Sequence, residues 1–102
     1  MKFEVTASFR GDWDRLSETE RRVFRDLLPA FNEACVRIAA NPGMTFPSSL
    51  RVKDVQGAPG ILEMTWSFSG PDGRATFEWV TIQGSRGGRW RRIGGHAIVR
   101  KP

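Results

Sequence analysis

The sequence predicts an α+β fold. An antiparallel sheet of four or five strands, including an N-terminal strand, should carry one kinked main helix packed on one face. Residues 17–40 place apolar side chains every three or four positions, as a helix with one buried side does. Residues 61–68 and 74–81 alternate apolar with polar side chains, as half-buried strands do. A strand, a helix and then a meander of strands favour a sheet covered on one face and open on the other.

The first strand is predicted from a short alternation near the start of the chain. Apolar residues at positions 3, 5, 7 and 9 alternate with polar ones, and Gly11 with Asp12 ends the pattern. Residues 12–16 are expected to form a short helical turn.

The main helix is predicted to run from about Ser17 to Ala40. Ser17 and Glu20 have the spacing of a capping box, in which each side chain bonds to the other residue's backbone N–H. Pro29 lies inside the pattern without disturbing its phase, which favours one kinked helix over two separate ones. The apolar stripe comprises Phe24, Leu28, Phe31, Cys35 and Ile38.

The second half of the chain is predicted to be β structure. A short extended piece at 50–55 precedes the two clear strands, which are joined by a turn over 69–73. A flexible loop at 83–88 leads to a last strand at about 89–93 and a short apolar tail. Trp90 and Ile93 fall on opposite faces of that strand, so its phase stays open.

A register for the two clear strands follows from burying their large side chains together. A four-residue turn, with Ser69 opposite Arg74, pairs Trp66 with Phe77 and places Met64 opposite Trp79 under the helix.

The opposite face should then carry a cluster of titratable side chains. Glu63 and Glu78 become diagonal neighbours on that face, with Arg74 beside them. Adjacent carboxylates push one pKa upward, which suits a general base, and an arginine can pair with a carboxylate or hold a phosphate. His96, the only histidine, follows two glycines and is expected nearby. The alternatives are a solvated surface cluster and a histidine that is structural or merely exposed.

Composition excludes several classes of protein. The 102 residues predict one domain, 1–102, with an ordinary globular balance of 39% hydrophobic and 26% charged residues. No apolar run approaches the roughly 20 residues of a membrane span. Cys35 is the only cysteine, so no internal disulfide and no His/Cys metal cage is expected. We therefore expect a cytoplasmic protein without metal or cofactor.

The charge distribution favours a polyanionic partner. Sixteen Lys and Arg against eleven Asp and Glu give a net charge of +5, and no acidic residue follows Glu78. The alternative is a solubilising strand and a frayed tail. The candidate RNA-binding residues are Arg51, Lys53, Arg89, Trp90, Arg91, Arg92, Arg100 and Lys101.

Four segments resemble the RelE/ParE toxin superfamily, most closely RelE-like and HigB-like toxins labelled plasmid-stabilisation proteins. They are residues 50–57, 62–66, 73–77 and 90–96, with a final proline. The resemblance implies a RelE-like fold and a toxin of a type II toxin–antitoxin system that a cognate antitoxin neutralises. RelE-like members bind the ribosome and cut mRNA, which inhibits translation. The endoribonuclease reaction is metal-independent attack by a ribose 2′-OH on the neighbouring phosphate.

The resemblance also implies roles for individual residues. Arg74 matches the phosphate-stabilising arginine, and His96 matches the C-terminal histidine of HigB-like members. Arg51 and Lys53 fall in a basic segment near RNA. Glu78, or alternatively Glu63, is the candidate second proton carrier.

The chain departs from the pattern of the RNase members at its end. It has no tyrosine, and Ala97 and Val99 stand where relatives often place Asp and an aromatic residue. Trp90 is a candidate substitute for the missing base-stacking ring. The alternative functions are a ParE-like toxin that inhibits gyrase and a degenerate member that only binds RNA or antitoxin.

Overall fold

Five strands form one mixed sheet in the computed structural model, which describes residues 1–66 and 73–102. Within those residues, two α-helices and two 3-10 helices complete the fold, which confirms the predicted α+β class. The strands are β1 (Phe3–Val5), β2 (Val52–Asp54), β3 (Ile61–Trp66), β4 (Gly73–Ile82) and β5 (Ser85–Gly94). The helices are α1 (Ala7–Arg15) and α2 (Glu18–Ala40), with 3-10 helices at Ser48–Leu50 and His96–Arg100. The order across the sheet is β1-β5-β4-β3-β2.

The prediction of a purely antiparallel sheet is wrong at β1. This strand runs parallel to β5, with Phe3 opposite Gly88 and Val5 opposite Trp90. A parallel neighbour needs a long connection, and here nearly the whole chain separates the two strands. An alternation of side chains shows which face is buried but carries no information on strand direction.

The first strand is also shorter than predicted, because a helix begins at Ala7. The Thr6 hydroxyl accepts a hydrogen bond from the Phe9 N–H at 3.0 Å and caps α1. Phe9 and Trp13 lie one helical turn apart and stack at 6.1 Å. The spacing from Phe9 onward is therefore helical, although the first nine residues also fit an alternation.

The main helix has the predicted bounds and cap. The Ser17 hydroxyl accepts from the Glu20 N–H at 3.1 Å, and the Glu20 carboxylate accepts from the Ser17 N–H at 2.8 Å. The helix continues through Pro29, which is exposed to solvent. Its buried residues are Phe24, Phe31, Ala34, Cys35 and Ile38.

The core lies between α2 and one face of the sheet. The Phe31 ring meets Trp90 at 4.8 Å and Phe77 at 4.9 Å, and the Phe24 ring meets Trp66 at 5.8 Å. The predicted positions of Met64, Trp66 and Phe77 under the helix are confirmed, while Leu62 and Trp79 lie half-buried at its margin. We call this the covered face of the sheet, and the opposite one the second face.

The predicted β3–β4 register is wrong by four residues. Trp66 lies opposite Gly73, and Leu62 lies opposite Phe77. A Cβ on Gly73 would come within 2.5 Å of the Trp66 indole, so this position requires glycine. An even shift keeps every side chain on its predicted face, which is why the face assignment holds. The predicted turn and the Ser69 pairing lie outside the described residues.

The β4–β5 hairpin is tighter than the predicted loop at 83–88. Gln83 and Gly84 both have positive φ, 52° and 79°, and they form a two-residue turn between Ile82 and Ser85. The segment is rich in glycine, so its side-chain pattern does not indicate the strand that the backbone forms.

A bulge in β5 resolves the open phase of the last strand. Trp90 lies opposite Phe77 and Arg92 lies opposite Thr76, so Arg91 is an extra residue. This insertion turns both Trp90 and Ile93 toward the covered face, where both are buried.

Candidate active site

The second face of the sheet carries polar side chains that are removed from water. Glu63, Thr65 and Thr76 are all buried on β3 and β4. The 3-10 helix His96–Arg100 lies over part of this face. A Cβ on Gly94, which the alternation directs toward the second face, would come within 3.1 Å of Ile98 Cγ2. The buried polar groups therefore lie beneath a short covering segment.

Glu63 lies at the centre of this polar cluster. Its residue is 5% exposed, and its Oε1 lies 3.6 Å from Arg74 Nε and 3.7 Å from Lys53 Nζ. Lys53 is directly opposite Glu63 in the β2–β3 register. Arg74 is a diagonal neighbour, because Thr76 is the residue directly opposite on β4. Sheet register thus places two cations around one buried carboxylate.

A cavity of about 630 Å³ opens beside Glu63. His96, which is exposed at the start of the covering helix, lines the same cavity, as does Lys53. A carboxylate, an imidazole and an ammonium group therefore border one space. The remaining lining residues are Asp54, Val55, Gln56 and Val99.

Arg74 is held with part of its hydrogen-bonding capacity unused. Its side chain is 15% exposed, and one Nη1–H donates to the Gly73 carbonyl at 3.2 Å. Among residues 1–66 and 73–102, the buried Nε has no hydrogen-bond partner, and neither has the buried Oγ1 of Thr76, two residues along the same strand. Buried polar atoms without partners are uncommon and costly, so this part of the second face is less fully hydrogen-bonded than an ordinary protein interior.

Glu78, the first-choice proton carrier of the sequence analysis, is bonded elsewhere. Its Oε2 accepts from Arg91 at 2.7 Å and from Arg89 at 3.5 Å. It remains a diagonal neighbour of Glu63 on the second face, as predicted, but it does not line the cavity. The arrangement favours Glu63 over Glu78 as the carboxylate of the site.

Arg92 is a structural residue and not a free cation. Its guanidinium forms two hydrogen bonds to the Asp12 carboxylate, at 2.6 and 3.1 Å, and Asp12 also accepts the Ile93 N–H at 3.1 Å. Burial by itself raises the pKa of Asp12. The hydrogen bonds from Arg92 and Ile93, with the charges of Arg92 and Arg15, hold this pKa below its usual value overall. No feature of the local sequence pattern pointed to Asp12.

Trp90, a predicted RNA-binding residue, is buried. It is 5% exposed and packs in the aromatic core on the covered face. The bulge at Arg91, which no sequence pattern revealed, turns it inward.

The remaining candidate RNA-binding residues differ in their exposure to solvent. Arg89 donates to Glu4 at 2.7 Å, and this hydrogen bond is the main cause that raises the pKa of Arg89. Arg91 donates to the Pro102 carbonyl at 2.9 Å as well as to Glu78. The residues exposed to solvent are Arg51, Lys53, Arg100 and Lys101.

The described residues offer neither a reactive cysteine nor a cluster of metal ligands. Cys35 is buried, and burial raises the pKa of its thiol to about 12, so it is not a nucleophile at neutral pH. In residues 1–66 and 73–102, no group of three or more His, Cys, Asp or Glu side chains is placed to hold a metal ion. Within the same residues, no helix is both long and apolar enough to cross a membrane.

Comparisons with protein-family models, with curated proteins and with solved structures find no match to this chain. The resemblance to the RelE/ParE superfamily therefore stays a prediction, based on the residues that carry it.

Proposed function

We propose that this chain is a metal-independent endoribonuclease that cuts mRNA on the ribosome, as the toxin of a type II toxin–antitoxin system. One observation carries the nuclease proposal: the buried Glu63 carboxylate lies between Lys53 and Arg74, at a cavity that His96 also lines. The resemblance to RelE-like and HigB-like toxins supports the choice of ribosome, cytoplasm and cognate antitoxin.

The residues at the cavity match the requirements of the reaction. In the proposed step Glu63 accepts the proton of a ribose 2′-OH, whose oxygen attacks the adjacent phosphorus. The bond from phosphorus to the 5′-oxygen breaks, and His96 donates a proton to that leaving oxygen. The products are a 2′,3′-cyclic phosphate and a free 5′-hydroxyl. The step needs no oxidant, reductant or metal.

Arg74 and Lys53 supply the positive charge that the reaction needs. The phosphate gains negative charge in the transition state, and nearby cations stabilise it, most strongly where water is excluded. The Arg74 side chain is 15% exposed, whereas that of Lys53 is 70% exposed. Arg74 does not line the cavity itself but lies 3.6 Å from Glu63, which does, so its guanidinium has to turn toward the cavity to reach a phosphate oxygen. When substrate binds, Arg74 exchanges part of its interaction with Glu63 for the phosphate.

Exposed basic residues flank the cavity and give a path for the RNA backbone. Arg51 and Lys53 lie on the β2 side. Arg100 ends the covering helix directly after the cavity-lining Val99, and Lys101 follows it. Arg91 and Arg92 have a different role, since both hold the carbonyls of residues 101 and 102.

The test is single-turnover cleavage of a defined mRNA on programmed ribosomes. We expect Arg74→Ala to slow cleavage by about 100- to 1000-fold, because one charged donor to the transition state is lost. Glu63→Gln and His96→Gln should each cost about 100- to 10,000-fold. Glu78→Gln is the matched control and should cleave at nearly the wild-type rate. If Glu63→Gln and Glu78→Gln reduce the cleavage rate equally, the assignment of Glu63 as the proton acceptor is wrong.

A second candidate function is supported by the aromatic residues. The chain lacks tyrosine, and Trp90 is buried, so neither provides a ring to stack on an RNA base. This favours a degenerate member that binds RNA or antitoxin without cutting. If wild-type protein binds ribosomes but never cleaves the programmed mRNA, this second function replaces the first. If it does not bind ribosomes and blocks DNA supercoiling, the ParE-like alternative replaces both.

A further inference from the structure

We propose that the groove between α1 and α2, beside β1, docks an extended acidic segment of a partner protein, which adds a strand to the sheet. The groove lies on the covered side of the sheet, whereas the nuclease proposal concerns the second face. The inference therefore stands independently of the proposed function.

The groove is large and apolar for a chain of this size. It encloses about 700 Å³, more than the cavity at Glu63. Much of its lining is half-buried rather than fully packed, which leaves apolar surface accessible to a ligand. The main apolar lining residues are Phe3, Val5, Phe9, Trp13 and Leu28.

The strand at the floor of this groove has a free edge. Among the strands of residues 1–66 and 73–102, β1 is the outermost and pairs only with β5. The Gly88 N–H bonds to the Lys2 carbonyl at 3.1 Å, and the Thr6 N–H bonds to the Trp90 carbonyl at 3.0 Å. These two bonds set the alternation of the parallel ladder, in which the backbone groups of residues 2, 4 and 6 bond to β5. The N–H and C=O groups of Phe3 and Val5 consequently face outward.

The edge of β5 is closed where β1 has ended, immediately beyond Val5. The Thr6 hydroxyl donates to the Arg91 carbonyl at 2.6 Å, and Asp12 accepts the Ile93 N–H. Side chains thus satisfy the hydrogen bonding of the β5 backbone where β1 has ended. No described residue does the same for the outward backbone groups of β1. Exposed strand edges of this kind pair readily with another extended chain.

The charge at the rim indicates an acidic occupant. Arg10 and Arg25 border the groove together with the Asp14 carboxylate, and Arg25 is ion-paired with Glu18 at 2.8 Å. Arg10 is exposed, and among the described residues it makes no ion pair or hydrogen bond through its side chain. An acidic residue in the occupant would meet this guanidinium and favour capture by a basic protein. Apolar walls and unpaired backbone groups suit a peptide better than an RNA, whose phosphates they do not recognise.

The experiment uses the full chain and a phage-displayed library of random 12-residue peptides. We expect selected peptides to alternate apolar residues and to contain Asp or Glu. A selected peptide, made synthetically and fluorescently labelled, should bind wild-type protein and shift the amide resonances of Phe3 and Val5. No enrichment, or shifts confined to other residues, would overturn the proposal.

Two variants and one matched control locate the binding. Val5→Pro removes an outward N–H without removing a bond to β5, and edge strands tolerate proline at such positions. Arg10→Glu reverses the rim charge. Each should weaken peptide binding by about tenfold or more, whereas Arg22→Glu, an exposed arginine of α2 that does not line the groove, should leave it unchanged.

The remaining outcomes separate this proposal from the nuclease proposal. Arg10→Glu keeps the test valid if Val5→Pro fails to fold. Peptide binding by Glu63→Gln should equal that of wild type, since Glu63 is on the second face. Equal binding by Arg10→Glu and Arg22→Glu overturns the inference, as does displacement of the peptide from the groove by a 12-nucleotide single-stranded RNA.

Discussion

The Asp12 carboxylate on α1 accepts two hydrogen bonds from the Arg92 guanidinium on β5, at 2.6 and 3.1 Å. The same carboxylate accepts the Ile93 N–H, which lies beyond the end of β1. One acidic side chain therefore attaches the first helix to the sheet and completes the hydrogen bonding of β5. It also pairs the charge of Arg92, a predicted RNA-binding residue, with a carboxylate.

Replacing Asp12 with alanine should destabilise the protein. The change leaves the Ile93 N–H and part of the Arg92 guanidinium without their acceptor, so we expect a loss of roughly 1.5–3 kcal/mol in the free energy of unfolding. Urea denaturation at neutral pH measures this loss. The control is Glu33→Ala, which removes an exposed ion pair with Arg37 and should cost less than about 1 kcal/mol. Similar losses for both variants would contradict the structural role of Asp12.

Acid should weaken the fold partly through the same carboxylate. The pKa of Asp12 is lower in the folded protein than its usual value, so the unfolded chain binds the proton more readily. The stability that Asp12 contributes is complete above the unfolded pKa of about 3.9 and is lost as pH falls through the lower folded value. Asp12→Asn should therefore reduce the slope of unfolding free energy against pH below about pH 4. Urea titrations between pH 2 and 7 test this, and identical slopes would contradict it.

Phe31 should be the most costly residue to truncate among those of α2. It is 1% exposed, and its ring meets Phe3, Phe46, Phe77 and Trp90. Phe31→Ala opens a cavity between helix and sheet, and we expect a loss of about 3–5 kcal/mol. Val36→Ala, at a position 45% exposed on the same helix, is the control and should change stability by less than about 0.5 kcal/mol. Calorimetry or urea denaturation measures both.

RNA affinity should depend on salt through the exposed cations of the tail. Arg100 and Lys101 are exposed, whereas Arg91 and Arg92 are bonded to carboxylates. For single-stranded RNA, loss of two phosphate contacts should reduce the magnitude of the slope of log K against log salt by about 1.4. We expect this for Arg100→Ala with Lys101→Ala, measured by fluorescence anisotropy. Arg10→Ala with Arg22→Ala serves as the control of equal charge, and an equal effect there would refute a specific role for the tail.

Part of the candidate site was predictable from sequence, because it depends on which face a residue occupies. Alternation placed Glu63, Arg74 and Glu78 on one face, and the last predicted strand was expected to bring His96 near it. The choice between Glu63 and Glu78 depends on which strands lie next to them in the sheet. Arg89 and Arg91 reach Glu78 from β5, whereas Lys53 reaches Glu63 from β2.

Local sequence determined α2, its capping box and the buried faces of β3 and β4, because these features depend on residues a few positions apart. Tertiary structure alone decided the direction of β1, the four-residue shift between β3 and β4, and the bulge that buries Trp90. A period of two specifies the face of a side chain but not its partner, so an even shift in register leaves the pattern unchanged. The partner is selected by packing across the sheet, as where the Trp66 indole requires Gly73 beneath it.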